Sequence, residues 1–231
     1  MLKTSPLVAM LTALTMFPIS AQAQAQDAEA ATAAEVEDTR QVYTPVNFNA
    51  EEEPENVLLL DLSNGERVAI RLMPEWAPAH VERVKTLTRQ GFYDGVIFHR
   101  VIDGFMAQTG DPTGTGTGGS ELPDLEEEFN PQPHLRGTVS MARAADENSA
   151  NSQFFIVFYP RFSLDKRYTN FGRVIYNIAA VDAITRGEPP TNPTRVLQAS
   201  LASDNKAQVT SVQPVPEETI TADDLNAPLE S

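Results

Sequence analysis

The sequence predicts a mainly β protein whose sheet closes on itself, and three observations lead there. Short runs rich in β-branched and aromatic residues recur through the middle of the 231-residue chain. Only two segments carry helical periodicity. Asn64-Gly65 lies between two of the apolar runs, where Asn-Gly favours a tight hairpin turn. Many short strands with two helices fit a closed sheet better than alternating βαβ units.

Met1 to Ala25 reads as a cleaved export signal. Lys3 precedes an apolar run from Leu7 to Ile19, followed by Ala21-Gln22-Ala23 and Ala23-Gln24-Ala25 as small-x-small cleavage sites. That run contains Pro18 and falls short of the roughly 20 residues a spanning helix needs. Residues 26–55 are rich in Ala, Glu and Thr with few large apolar side chains, which predicts an acidic disordered leader. The folded domain is expected over 56–203. It opens with a hairpin, 57–62 and 67–72, then a helix of about 12 residues in which Val81, Val84 and Leu87 share one face, Pro78 suits the first turn and Gly91 closes the end. Further strands are expected at 92–101, 137–141, 153–158, 169–175 and 195–201, with a second helix at 178–186 ending at Gly187-Glu188-Pro189-Pro190. Residues 204–231 read as an acidic flexible tail.

The net charge of −15 sits at the ends. Residues 27–55 hold nine acids and one arginine, residues 204–231 six acids and one lysine, and the middle 17 acids against 14 bases. Without a basic cluster, nucleic acid and anionic membrane are poor partners. The chain has no cysteine, so an exported form relies on its core and not on disulfides, which suits a bacterial periplasm. His80, His99 and His134 are the only histidines and none is paired at ligand spacing, so no metal is expected. Gly114-x-Gly116-x-x-Gly119 spells a dinucleotide pattern, but no helix follows and the phosphate-loop lysine is missing. Glu126-Glu127-Glu128 reads as a solvated charge run.

The stretch Phe98-His99-Arg100-Val101-Ile102-Asp103-Gly104-Phe105-Met106-Ala107-Gln108-Thr109-Gly110-Asp111 resembles the signature of the cyclophilins. Ser140-Met141-Ala142-Arg143, Ser152-Gln153-Phe154-Phe155-Ile156-Val157, Leu164-Asp165 and Asn170-Phe171-Gly172-Arg173-Val174 follow in that family's order. The resemblance spans roughly residues 56 to 203. It implies a closed eight-stranded antiparallel barrel capped by two α-helices, and prolyl cis/trans isomerase activity without a cofactor. Its partners would be proline-containing, unfolded or loosely folded polypeptides, met by a periplasmic monomer.

Carried over position by position, the resemblance makes Arg100, Phe105 and Gln108 catalytic. Arg100 would be the cation that favours the twisted amide, a role arginine suits because it stays charged and presents rigidly placed donors. Met106, Phe155 and Leu164, with Phe105, would form the apolar pocket for the proline ring, and Tyr168 its wall. Gln153, with Gln108, would hydrogen-bond the substrate backbone and help orient Arg100, while Ala142 and Arg143 would edge the groove for the residues before proline. His99 is expected to pack structurally, since adjacent strand residues face opposite ways. Two departures from the best-known eukaryotic pattern stand out: Ser163 where it has Trp, with Phe162 one place earlier, and Tyr168 where it has His. They imply weak cyclosporin binding with isomerase activity kept. A module or holdase that grips proline segments with little turnover is the competing reading.

Overall fold

Alternation along each strand decides which side chains this sheet buries. The computed structural model describes residues 44–210. The expected signal at 1–25, the leader as far as residue 43 and the tail beyond residue 210 lie outside the described residues. Eight strands follow in order: β1 (Val57–Leu62), β2 (Arg67–Leu72), β3 (Arg100–Ile102), β4 (Met106–Thr109), β5 (Thr138–Met141), β6 (Phe154–Val157), β7 (Asn170–Tyr176) and β8 (Val196–Leu201). All pair antiparallel in one sheet of order β3-β4-β6-β5-β7-β2-β1-β8. Inward residues such as Leu58, Leu60, Ile70, Val101, Ala107, Val139, Ile156 and Ala199 form the main core.

The sheet curls into a half-barrel and is not closed, which corrects the expected closed barrel. β3 and β8 are its ends and share no ladder. The physical reason lies in residues 92–101, expected as one strand. Gly91 and Gly95 both adopt positive φ, the chain turns through residues 90–95, and only Arg100–Ile102 reaches the ladder. The gap is spanned by the Gly95 amide donating to the Val196 carbonyl at 2.7 Å, the Phe98 amide donating to the Thr194 carbonyl at 2.9 Å, and an isolated Ile97–Arg195 bridge.

The first helix, α1 (Pro78–Arg89), buries Val81, Val84 and Leu87 as the spacing predicts. Its N-cap Ala77 offers no side-chain acceptor. Glu128 supplies one from a distant loop, accepting from the amides of Ala79 (3.1 Å) and His80 (3.0 Å) and contacting His80 Nδ1 at 2.6 Å. Glu128 is therefore not part of a solvated charge run. The second helix, α2 (Ile178–Asp182), is shorter than the expected 178–186. Arg186 Nη1 donates to the carbonyls of Asp182 and Ile184, closing the helix end, and Gly187 leaves to bridge Val101.

Residues 44–55, assigned from sequence to the leader, are held against the domain. Arg71 is 1% exposed, and a buried guanidinium needs acceptors. It donates to the backbone carbonyls of Asn47, Asn49 and Glu53. Trp76 Nε1 donates to the Thr44 carbonyl at 3.1 Å. At the other end, the Val209 amide donates to Asp61 at 2.8 Å.

Candidate active site

Strand register builds the site. In the antiparallel ladder Arg100 lies opposite Gln108, Gln108 opposite Phe155, and Phe155 opposite Ser140. Opposed residues share a face, so these four form one row across β3, β4, β6 and β5. Ile102, Met106 and Val157 form the next row on the same face. The intervening Val101, Ala107 and Ile156 point the other way into the core. Met106, Phe155 and Val157 make a small apolar cluster of their own, against which Ile102, Phe105, Ala142, Leu164 and Tyr168 pack.

These rows floor a cavity of about 240 Å³ lined by Arg100, Phe105, Met106, Gln108, Ala142, Arg143, Phe155, Leu164 and Tyr168. Every residue assigned from sequence to catalysis or substrate binding lines it, except Gln153. Phe105 ends a tight turn whose Gly104 has φ 64°, and Arg161 lies 5.3 Å over its ring. Leu164 closes a short 3-10 turn, Phe162–Leu164. The Tyr168 ring meets Phe155 edge to face at 5.6 Å. Ser163 is exposed, and Phe162 is 63% exposed at this rim.

Gln153 lines an adjoining cavity of about 490 Å³, which shares Gln108, Ala142 and Arg143 with the first. Gln108 Nε2 donates to Gln153 Oε1 at 2.9 Å, and Gln153 Nε2 donates to the carbonyls of Gly116 and Gly118. The two amides are thus tied to each other and to the glycine loop, and neither is hydrogen-bonded to Arg100. Gly110 makes this approach possible. At φ 88°, a β-carbon there would fall 2.4 Å from the Ser152 carbonyl oxygen and 2.9 Å from Gln153 Cα. The glycine loop itself is organised by Asp111, which is fully buried. Burial pushes its carboxyl up, but donors from Thr113, Gly118 and Gly116 outweigh this and hold it at about 2.

Arg143 is already engaged. It donates to the carbonyls of Arg167, Ala144 and Ala145 and stacks 4.9 Å over the Tyr168 ring. It braces the groove wall more than it reaches outward. Arg100 is different. Its Nε donates to Glu188 Oε2 at 2.9 Å, with side chains 42% and 51% exposed, and its Nη groups have no partner among the described residues.

Beneath the pocket lies a support that sequence reasoning missed. His134 contacts Asp165 Oδ1 through Nδ1 (2.8 Å) and Ser140 Oγ through Nε2 (2.9 Å), and its ring lies nearly parallel to that of Phe155 at 6.5 Å. Burial lowers its pKa, only partly offset by Asp165. His99 is 4% exposed with its ring against Gly116 of the glycine loop, and burial lowers its pKa too. Leu164-Asp165 was visible in the sequence as a motif, but nothing nearby pointed to His134.

The sequence model of the family described as "Cyclophilin type peptidyl-prolyl cis-trans isomerase/CLD" matches residues 58–201. A probable peptidyl-prolyl cis-trans isomerase of Brucella suis is 45% identical over 170 residues, covering 67% of this chain and 86% of that protein. Peptidyl-prolyl cis-trans isomerase B of Bacillus subtilis is 41% identical over 128 residues, covering 55% of this chain and 89% of its own length. Among solved structures, a cyclophilin from Hirschia baltica superposes with a TM-score of 0.61 at 30% identity, covering 66% of this chain and 76% of that one. A cyclophilin-type isomerase of Cryptosporidium parvum, crystallised in the presence of the dipeptide Ala-Pro, superposes with a TM-score of 0.59 at 27% identity, over 63% and 98%.

Proposed function

This chain belongs to the cyclophilin-type peptidyl-prolyl cis-trans isomerases, and from that footing we propose that Arg100 drives the rotation and that the clients are proteins folding after export. The barrier to rotating an X-Pro bond is about 18–20 kcal/mol and arises because amide resonance holds the bond planar. Rotation makes and breaks no covalent bond, so the chemistry calls for neither nucleophile nor cofactor. At the halfway point conjugation is lost and the prolyl nitrogen becomes pyramidal with a free lone pair. A donor fixed beside it favours that state, and more strongly where apolar walls lower the local dielectric.

One observation carries this reading. Arg100, its Nη groups without a partner among the described residues, lines the same 240 Å³ cavity as Phe105, Met106, Phe155 and Leu164, the apolar surface a proline ring requires. The Cryptosporidium relative crystallised with Ala-Pro supports proline-containing peptides as ligands. The residues before proline would run past Ala142 towards the larger cavity. The signal-like start at residues 1–25 supports export to a periplasm, where uncatalysed isomerisation over tens to hundreds of seconds limits folding. The enzyme would work there as a monomer. Exposed Ser163 and Phe162 favour the alternative of a gripping module with little turnover.

A proline-limited refolding assay at substoichiometric enzyme separates the two. Arg100→Ala is expected to lower kcat/KM by about 10- to 1,000-fold, roughly 1–4 kcal/mol of transition-state stabilisation. Equal rates for wild type and Arg100→Ala would overturn the assignment, and a wild type that binds proline peptides without turnover would favour the gripping module.

A further inference from the structure

The row of side chains across the sheet does not stop at Arg100. Gly187 and Val101 exchange two backbone hydrogen bonds, Val101 N–H to Gly187 O at 2.7 Å and Gly187 N–H to Val101 O at 2.9 Å, as an isolated antiparallel bridge. In that register residue 188 stands opposite residue 100. Glu188 is therefore the cross-strand neighbour of Arg100 on the side away from Gln108, and it meets Nε at 2.9 Å. The approach is fixed by backbone. At Gly187 a β-carbon would fall 2.5 Å from Pro190 Cα and 2.8 Å from Pro190 N, so the turn leaves room for hydrogen only. Arg186, the residue before Gly187, is itself anchored by donating to Asp103 Oδ1 and to the carbonyls of Asp182 and Ile184.

We propose that Glu188 is a positioning residue. It grips the guanidinium of Arg100 by its Nε edge, so that the Nη edge is left for the substrate. This rests on the reading of Arg100 as the catalytic cation. No other described side chain is hydrogen-bonded to Arg100; Gln108, its neighbour on the other side, is turned to Gln153 instead. A flexible arginine on a three-residue end strand loses orientation when that contact is removed. An ion pair this exposed contributes little to stability, so its role shows in rate and not in melting.

The test compares wild type, Glu188→Ala, Glu188→Gln, Arg100→Ala and the double variant Arg100→Ala/Glu188→Ala, measuring kcat and KM on a proline peptide and Tm. Glu188→Ala is expected to lower kcat about five- to tenfold with KM little changed, the scale of a misdirected catalytic group. Glu188→Gln keeps an acceptor for Nε and is expected to recover kcat to within about twofold of wild type. In the Arg100→Ala background Glu188→Ala is expected to cost nothing further. Three results would overturn the proposal: Glu188→Ala as fast as wild type, the same loss in both backgrounds, or Glu188→Gln faster than wild type, which would make the carboxylate a brake on the cation's charge. If instead Arg100→Ala alone is fully active, the catalytic-cation reading has failed and the proposal falls with it, a result distinct from the other three.

Discussion

A buried histidine stacked on Phe155 makes the stability of this fold sensitive to acid. His134 bridges Asp165 and Ser140 while buried, and burial lowers its pKa below 6.5; His99, buried against the glycine loop, is lowered for the same reason. The folded protein therefore binds fewer protons than the unfolded chain between the lowered values and 6.5. Stability should be level above about pH 7 and fall as pH drops through 6.5, by at most about 1.4 kcal/mol per pH unit for each histidine. Calorimetry from pH 8 to pH 5 checks this. His134→Gln should show a shallower decline than wild type, and stability rising on acidification would contradict the argument. At this scale the sequence was informative where motif and face coincide. Arg100, Gln108 and Phe155 could be expected together because the motif spaces them along strands that then align in one row. Glu188 could not, because its contact lies 88 residues away in a Gly-Glu-Pro-Pro loop that reads only as a turn.

The legible elements were those with a strong local period. The hairpin β1–β2 and helix α1 form where alternation and the Val81, Val84, Leu87 stripe demand them. β4 was missed because Met-Ala-Gln-Thr holds a single β-branched residue, and it is a strand only because β3 and β6 pair with both its edges. Helix α1 also shows what local signals leave out. Its cap comes from Glu128, far along the chain, and although burial raises the carboxyl pKa, bonds from His80 and Ala79 bring it below the ordinary value. Glu128→Ala should remove about 1–3 kcal/mol of stability, as lost buried hydrogen bonds and caps do. It should leave kcat/KM unchanged, since neither Glu128 nor α1 lines the cavity. Urea unfolding alongside the isomerase assay tests both halves.

The whole molecule was harder to foresee, because its limits are set by contacts between distant segments. Composition alone made residues 44–55 a leader, yet their carbonyls are the acceptors of the Arg71 guanidinium. A chain beginning at residue 57 should therefore lose about 3 kcal/mol or more against one beginning at residue 42, the cost of leaving a buried cation without acceptors. Arg71→Met in the shorter chain should restore part of that loss, and chemical denaturation midpoints give the comparison. The sheet's two ends were equally invisible: positive φ at Gly91 and Gly95 turns the chain away before it can complete a ladder between β3 and β8. This has a consequence for heat. The strand that bears Arg100 is a margin of the sheet, fastened on its outer flank by one pair of amides, and fraying at such margins needs less energy than melting of the interior. Warming should therefore loosen Arg100 first, so that, with the role proposed for it, turnover fades while most of the fold still stands.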